Sequence, residues 1–96
     1  MAKLKYDYDP RVLDIGEKAD QGDVEFQFRI LQDKERGLAS LRRIRDRFHD
    51  NPIVTDVLFY QQDNGEVQVI VRGDFYEEFI LALMKHRLLR RVWWEE

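Results

Sequence analysis

Cysteine is absent from the 96-residue chain, which excludes disulfides, thiol nucleophiles, iron–sulfur ligation and thiolate zinc sites. Histidine is scarce: His49 and His86 share no metal-ligand spacing, and at helix ends they suit last-turn carbonyls better than a metal. A basic excess is missing too. Sixteen Lys and Arg against nineteen Asp and Glu leave a formal net charge of -3, whereas domains that grip nucleic acid through its phosphates carry a basic surplus. The longest apolar run, Phe79 to Met84, is far short of a membrane span. The start of the chain interleaves Lys3, Lys5, Asp7 and Asp9 with no signal-peptide core. No glycine-rich phosphate loop is present. Ser40 and Thr55 fall inside expected elements, so no nucleophile sits on an exposed elbow. The acid pairs Glu77-Glu78 and Glu95-Glu96 read as solvated ends. These absences lead us to expect a soluble cytoplasmic protein that is not an enzyme, holds no metal or cofactor, and touches neither membrane nor, in the main, nucleic acid.

What is present suffices for one core. Hydrophobic residues make up 44% and charged residues 36%, the latter above the roughly 25% of an average chain. Residues 1–23 read as an N-terminal arm, in which Asp9-Pro10 predicts a short helix to about Ala19 and Gln21-Gly22-Asp23 a turn. Residues 24–96 read as the domain. Val24, Phe26, Phe28 and Ile30 alternate with Glu25, Gln27 and Arg29, the period of a half-buried strand. Leu38, Leu41, Ile44 and Phe48 recur at helical spacing over Glu35–His49, and Asn51-Pro52 stops that helix. Strands are expected at Ile53–Gln62 and Glu66–Arg72, joined by a hairpin at Asp63-Asn64-Gly65. A second helix runs from an Asp74 N-cap to about Arg87, and Leu89–Trp94 is the last strand. The order βαββαβ predicts an α+β ferredoxin-like sandwich: a four-stranded antiparallel sheet with two helices on one face.

Arg42, Arg43, Arg45 and Arg47 crowd the end of the first helix, and both helices begin acidic and end basic. That arrangement opposes the helix macrodipole. Antiparallel helices would lay the arginine end of one beside the acidic start of the other. The same topology is used by RNA-recognition motifs, whose stacking aromatics lie on the first and third strands. Here those outward positions are Glu25, Gln27, Arg29, Gln68, Ile70 and Arg72. A single-stranded RNA-binding module using the open sheet face is therefore the alternative reading only.

Asp33-Lys34-Glu35-Arg36-Gly37-Leu38-Ala39 resembles the aspartate-x-x-glycine-leucine-alanine signature that opens the first helix of ACT domains, small regulatory modules of this topology. Leu88-Leu89-Arg90-Arg91-Val92 is similar to the family's last strand, so the resemblance covers about Val24 to Trp94. One extra residue separates Asp33 from Gly37, and Arg36 stands where the family has proline. The resemblance implies an amino-acid or similar ligand at Asp33, Gly37 and Leu38. A glycine easing the loop-to-helix turn is the alternative explanation of Gly37.

Trp93 and Trp94 are adjacent, so on a strand they point to opposite sides. Leu88, Val92 and Trp94 form the more apolar set, expected to face the helices, although strand alternation here leaves the inward choice between the tryptophans open. Trp93 then joins Arg91, Leu58, Tyr60 and Ile70 on the open sheet face, too apolar a set to stay wet. The expectation is a homodimer whose arms, through Leu4, Tyr6, Tyr8, Val12 and Ile15, help cover the sheets. The function expected is a non-catalytic regulatory or binding module acting through self-association and a small ligand such as an amino acid.

Overall fold

The computed structural model describes residues 3–49, 57–62 and 65–96. The chain runs through β1 (Lys3–Asp7), β2 (Leu13–Asp20), β3 (Asp23–Ile30), α1 (Lys34–His49), β4 (Val57–Gln61), β5 (Glu66–Arg72), a 3-10 turn (Gly73–Phe75), α2 (Tyr76–Lys85) and β6 (Arg91–Glu95). The protein is α+β, with a four-stranded antiparallel sheet in the order β2-β3-β5-β4 and a separate antiparallel ribbon of β1 and β6. Asn51-Pro52, the opening of the expected second strand with Thr55, and Asp63-Asn64 lie outside the described residues, as do Met1 and Ala2.

One face of the sheet builds the core. Phe26, Phe28 and Ile30 of β3 and Val67, Val69 and Val71 of β5 are buried, with Val57 of β4 and Leu13 and Ile15 of β2. Leu41 and Ile44 of α1 and Phe79, Ile80 and Leu83 of α2 belong to the same buried cluster, so both helices cover that face. Phe79 is its hub. Its ring lies 4.8 Å from Phe26, 6.2 Å from Phe28 and 6.3 Å from Phe59, centre to centre, within the range where edge and tilted aromatic pairs attract.

Three expectations are corrected. First, residues 13–20 are a strand, not the end of a helix begun at Pro10. Leu13 and Ile15 alternate with exposed Asp14 and Gly16, and the two-residue turn Gln21-Gly22 has positive φ at both positions (48° and 88°), the geometry that matches hairpin twist. Second, the last strand does not complete the sheet. β2 occupies the edge beside β3, where a βαββαβ sandwich would seat β6. A hairpin partner two residues away closes a much shorter loop than one arriving after both helices. The structure therefore departs from a clean ferredoxin-like order. Third, Asp74 does not cap α2: the cap position is Phe75, with no side-chain cap hydrogen bond.

The segment expected as an arm is part of this architecture. Leu4, Tyr6, Tyr8 and Val12 pack on the chain's own core, as does Val92 of β6. The Arg90 N–H donates to the Asp7 carbonyl at 2.7 Å, which closes the ribbon. Tyr8 ties it to the sheet: its hydroxyl accepts from the Ile15 N–H at 3.3 Å and donates to the Asp14 carboxylate at 3.2 Å. Among the described residues no helix is long and apolar enough to cross a membrane.

Candidate functional site

The Asp33–Gly37 junction opens onto a cleft of about 350 Å³ whose walls include Gln32, Asp33, Arg36, Gly37, Ser40, His86 and Arg87. It lies where the start of α1 meets the end of α2. Arg36 follows from the first turn of α1, and the helix repeat carries the same face on to Ser40, Arg43 and Arg47. Arg36, Ser40, His86 and Arg87 also line an adjoining cleft with Arg43 and Lys85. Of the expected approach of arginines to the acidic start of α2, the described residues show Arg47 lining one cleft with Glu78, with no ion pair between them. Arg36 and Arg43 instead face the basic end of α2. Among the described residues, Arg36, Arg43, Lys85 and Arg87 make no ion pair within 4.0 Å.

The end of α2 is shaped in an unusual way. The Leu88 N–H donates to the Leu83 carbonyl and the Arg87 N–H to the Met84 carbonyl, each at 3.0 Å. Those two bonds define a Schellman cap, whose residue in the left-handed region is usually glycine. Here it is Arg87, at φ 62°. A side chain at that backbone conformation costs on the order of 1–2 kcal/mol. Asp33, across the same cleft, is also left-handed at φ 51°. Two strained side chains thus meet at one opening, and one of them is a cation where glycine would be cheaper.

His86 lies between these groups. Its pKa is held below the usual imidazole value, by burial first and then by the positive charges of Lys85, Arg43 and Arg47. An anion entering the cleft would relieve that repulsion and favour the imidazolium.

The three residues of the ligand expectation part company here. Asp33 and Gly37 line the cleft, but Leu38 is half-buried on the core and lines a separate crevice with Leu41, Phe59 and Val67. Gly37 also has a sufficient structural reason. A Cβ there would stand 2.7 Å from Cδ1 and 3.0 Å from Cγ2 of Ile30, so glycine lets α1 lie close on β3. Arg36, His86 and Arg87 were not singled out as ligand groups from the sequence. The available signal was Arg87, just past a helical repeat at a cap position that favours glycine.

The expected interface set is divided as well. Leu58, Tyr60 and Ile70 share the outward face of the four-stranded sheet, with Leu58 directly opposite Ile70 and Tyr60 opposite Gln68. Leu58 and Tyr60 are 45% and 48% exposed. Arg91 and Trp93 are on the ribbon, not that sheet, because β6 pairs with β1. They stack on one another, the Arg91 guanidinium 4.6 Å from the Trp93 ring centre, and Arg91 also reaches Asp7 at 3.5 Å. Trp94 is on the Val92 side, as expected, but stays 57% exposed. The rest of the open face is polar and cross-linked: Gln27 donates to Gln62 at 3.1 Å, Arg29 pairs with Glu66 at 3.2 Å, and Gln68 donates to Glu25.

Among the described residues no three His, Asp or Glu side chains gather as a metal site would require. Comparison of the chain with protein-family models, curated proteins and solved structures finds no match.

Proposed function

We propose that the protein is a non-catalytic, ACT-like regulatory or binding module that takes a small carboxylate ligand, an amino acid, in the cleft between the start of α1 and the end of α2, and that acts through self-association. The observation that carries this reading is Arg87. It is a cation with no ion pair among the described residues, held in a conformation that favours glycine, at a cleft it shares with Arg36 and His86. A carboxylate suits the two guanidinium groups, which present fixed pairs of donors. Asp33 supplies the opposite charge that the ligand's ammonium group requires. The His86 shift adds a sign: binding takes up a proton, so affinity rises as pH falls.

The alternative, a single-stranded RNA binder on the open face, finds less support. The outward residues of β3 and β5 are polar or aliphatic, and Tyr60 stands alone on β4.

Arg87→Gly tests the reading by separating fold from ligand. Glycine relaxes the left-handed position, so the variant should be as stable as the parent, or more stable by up to about 1 kcal/mol. Its ligand response should nevertheless vanish. For the parent, an amino acid at a hundredfold excess over its Kd stabilises by about 2.7 kcal/mol. At roughly 4–8 °C per kcal/mol that is on the order of 10 °C or more in Tm. If no amino acid moves the Tm of the parent at millimolar concentration, or if Arg87→Gly keeps the response, the reading is wrong.

A further inference from the structure

A cleft larger than the one at Arg87 lies at the opposite end of α2. It has a volume of about 570 Å³ and lies between β1, Glu17 of β2 and the start of α2. Leu4, Tyr6, Glu17, Tyr76, Glu77 and Trp94 supply its walls. Register explains the aromatic side. Leu4 pairs with Trp94 and Tyr6 with Val92, and directly paired residues share a face. Lys3 and Lys5 border the cleft but pair with Glu95 and Trp93. Along β1 they alternate with Leu4 and Tyr6.

The rings are fixed by a carboxylate. Both the Tyr6 and Tyr76 hydroxyls donate to Oε2 of Glu17, the latter at 3.1 Å. Tyr76 is also stacked on the buried Phe26, with ring centres 5.9 Å apart. Glu17 makes no ion pair among the described residues, and neither does Glu77. The cleft therefore combines three aromatic rings, two of them anchored, with two carboxylates that form no ion pair among the described residues. Phenol donors hold a carboxylate in place without neutralising it.

We propose that this cleft binds a methylated ammonium group. Aromatic faces attract cations through their quadrupoles, and rings arranged around a site are the recognition device for quaternary ammonium. Methylation favours such a site over a bare ammonium, because the methyl groups spread the charge and reduce the hydration lost on entry. The group has two sources, a free quaternary amine or a methylated lysine side chain on another protein. Their shared chemistry is what the walls select. The proposal is independent of the anion cleft.

The test uses the full chain with tetramethylammonium, choline, a trimethyl-lysine peptide and its unmethylated form, read by Trp fluorescence and calorimetry. Choline's neutral isostere, in which carbon replaces nitrogen, separates charge from shape. We expect choline to bind at least about tenfold more tightly than the isostere, since the attraction to the rings is electrostatic. Glu17→Gln, which keeps the shape and accepting oxygen but removes the charge, should weaken choline about tenfold, and Trp94→Leu should abolish the fluorescence response. Trp94 is more than half exposed, so that variant will fold. Tighter binding of the methylated peptide than of choline identifies a lysine side chain as the source; equal or weaker binding identifies a free amine. Equal affinity for choline and its isostere, indifference to Glu17→Gln, or no binding of any cation at tens of millimolar would overturn the proposal.

Discussion

Replacing Gly37 by valine is the sharpest test of how α1 is seated. The first new atom, Cβ, would lie 2.7 Å from Cδ1, 3.0 Å from Cγ2 and 3.3 Å from Cγ1 of Ile30. Those distances are far inside the roughly 3.5–4.0 Å at which carbon atoms attract. Cδ1 could rotate away in an open setting, but Ile30 is 3% exposed and belongs to the core. Cγ2 is fixed with the β-carbon, and valine then adds two methyl groups. Against this, leaving glycine gains a few tenths of a kcal/mol of helix propensity. Overpacking costs about 1–3 kcal/mol, so the net loss should be about 1–3 kcal/mol, or roughly 4–24 °C in Tm. The assay is a double-mutant cycle in urea with Ile30→Ala. That change alone costs about 2–5 kcal/mol, but it vacates the space valine needs. The double variant should therefore be at least about 1 kcal/mol more stable than the sum of the singles predicts. Additivity would mean that Gly37 is not there for Ile30. It follows that Gly37→Val cannot serve as a fold-neutral probe of ligand binding.

The Tyr6 and Tyr76 hydroxyls have pKa values raised well above the usual tyrosine value, by burial first and then by Glu17. The fold favours the neutral phenol, so this contribution to stability is complete below about pH 10 and is lost as pH rises beyond it. Urea midpoints should fall on going from about pH 8 to above pH 10, and Tyr6→Phe should flatten that fall; an unchanged slope would deny the link. Self-association should now depend on the corner of the open face where Leu58, Tyr60 and Ile70 meet. Light scattering at micromolar concentration should give twice the chain mass, Leu58→Glu should shift it to monomer, and Trp93→Ala on the ribbon should leave it unchanged. A monomeric parent at high concentration would remove the dimer.

The elements with one strong period were legible before the structure. Alternation over Val24–Ile30 and Glu66–Arg72 predicts β3 and β5, and the repeat of Leu38, Leu41, Ile44 and Phe48 predicts α1. Residues 10–19 carry two competing signals. Asp9-Pro10 favours a helix start, while Leu13 and Ile15 around Asp14, followed by Gly16, favour a strand. The tertiary hairpin with β3 decides for the strand. Once β2 is taken into the sheet, β6 must find another partner, a consequence no local pattern announces. The site was legible in part for a related reason. Asp33 and Gly37 stood out by motif, but their charged neighbours come from the far end of α2. His86 and Arg87 join them only through the packing of two helices. The interface set was divided at the same step, since grouping Trp93 with Tyr60 presupposed that β6 lay in the sheet.

The exchange of edge strands also accounts for the cleft beside Glu17. On β2, Leu13 and Ile15 point into the core, and the next position on that face is Glu17. An apolar residue there would continue the stripe and draw the ribbon of β1 and β6 down onto the sheet. A carboxylate cannot be buried that way without several kcal/mol of desolvation. It is held instead at the margin, by the hydroxyls of Tyr6 from the ribbon and Tyr76 from α2. Three elements are thus joined at this point through one charged group. Such a joint fixes the aromatic rings but cannot fill the space between them. Glu17 therefore adds to the ties of the ribbon made by Tyr8 and the core contacts while keeping this side of it open, and Glu17→Leu should close the cleft rather than unfold the chain.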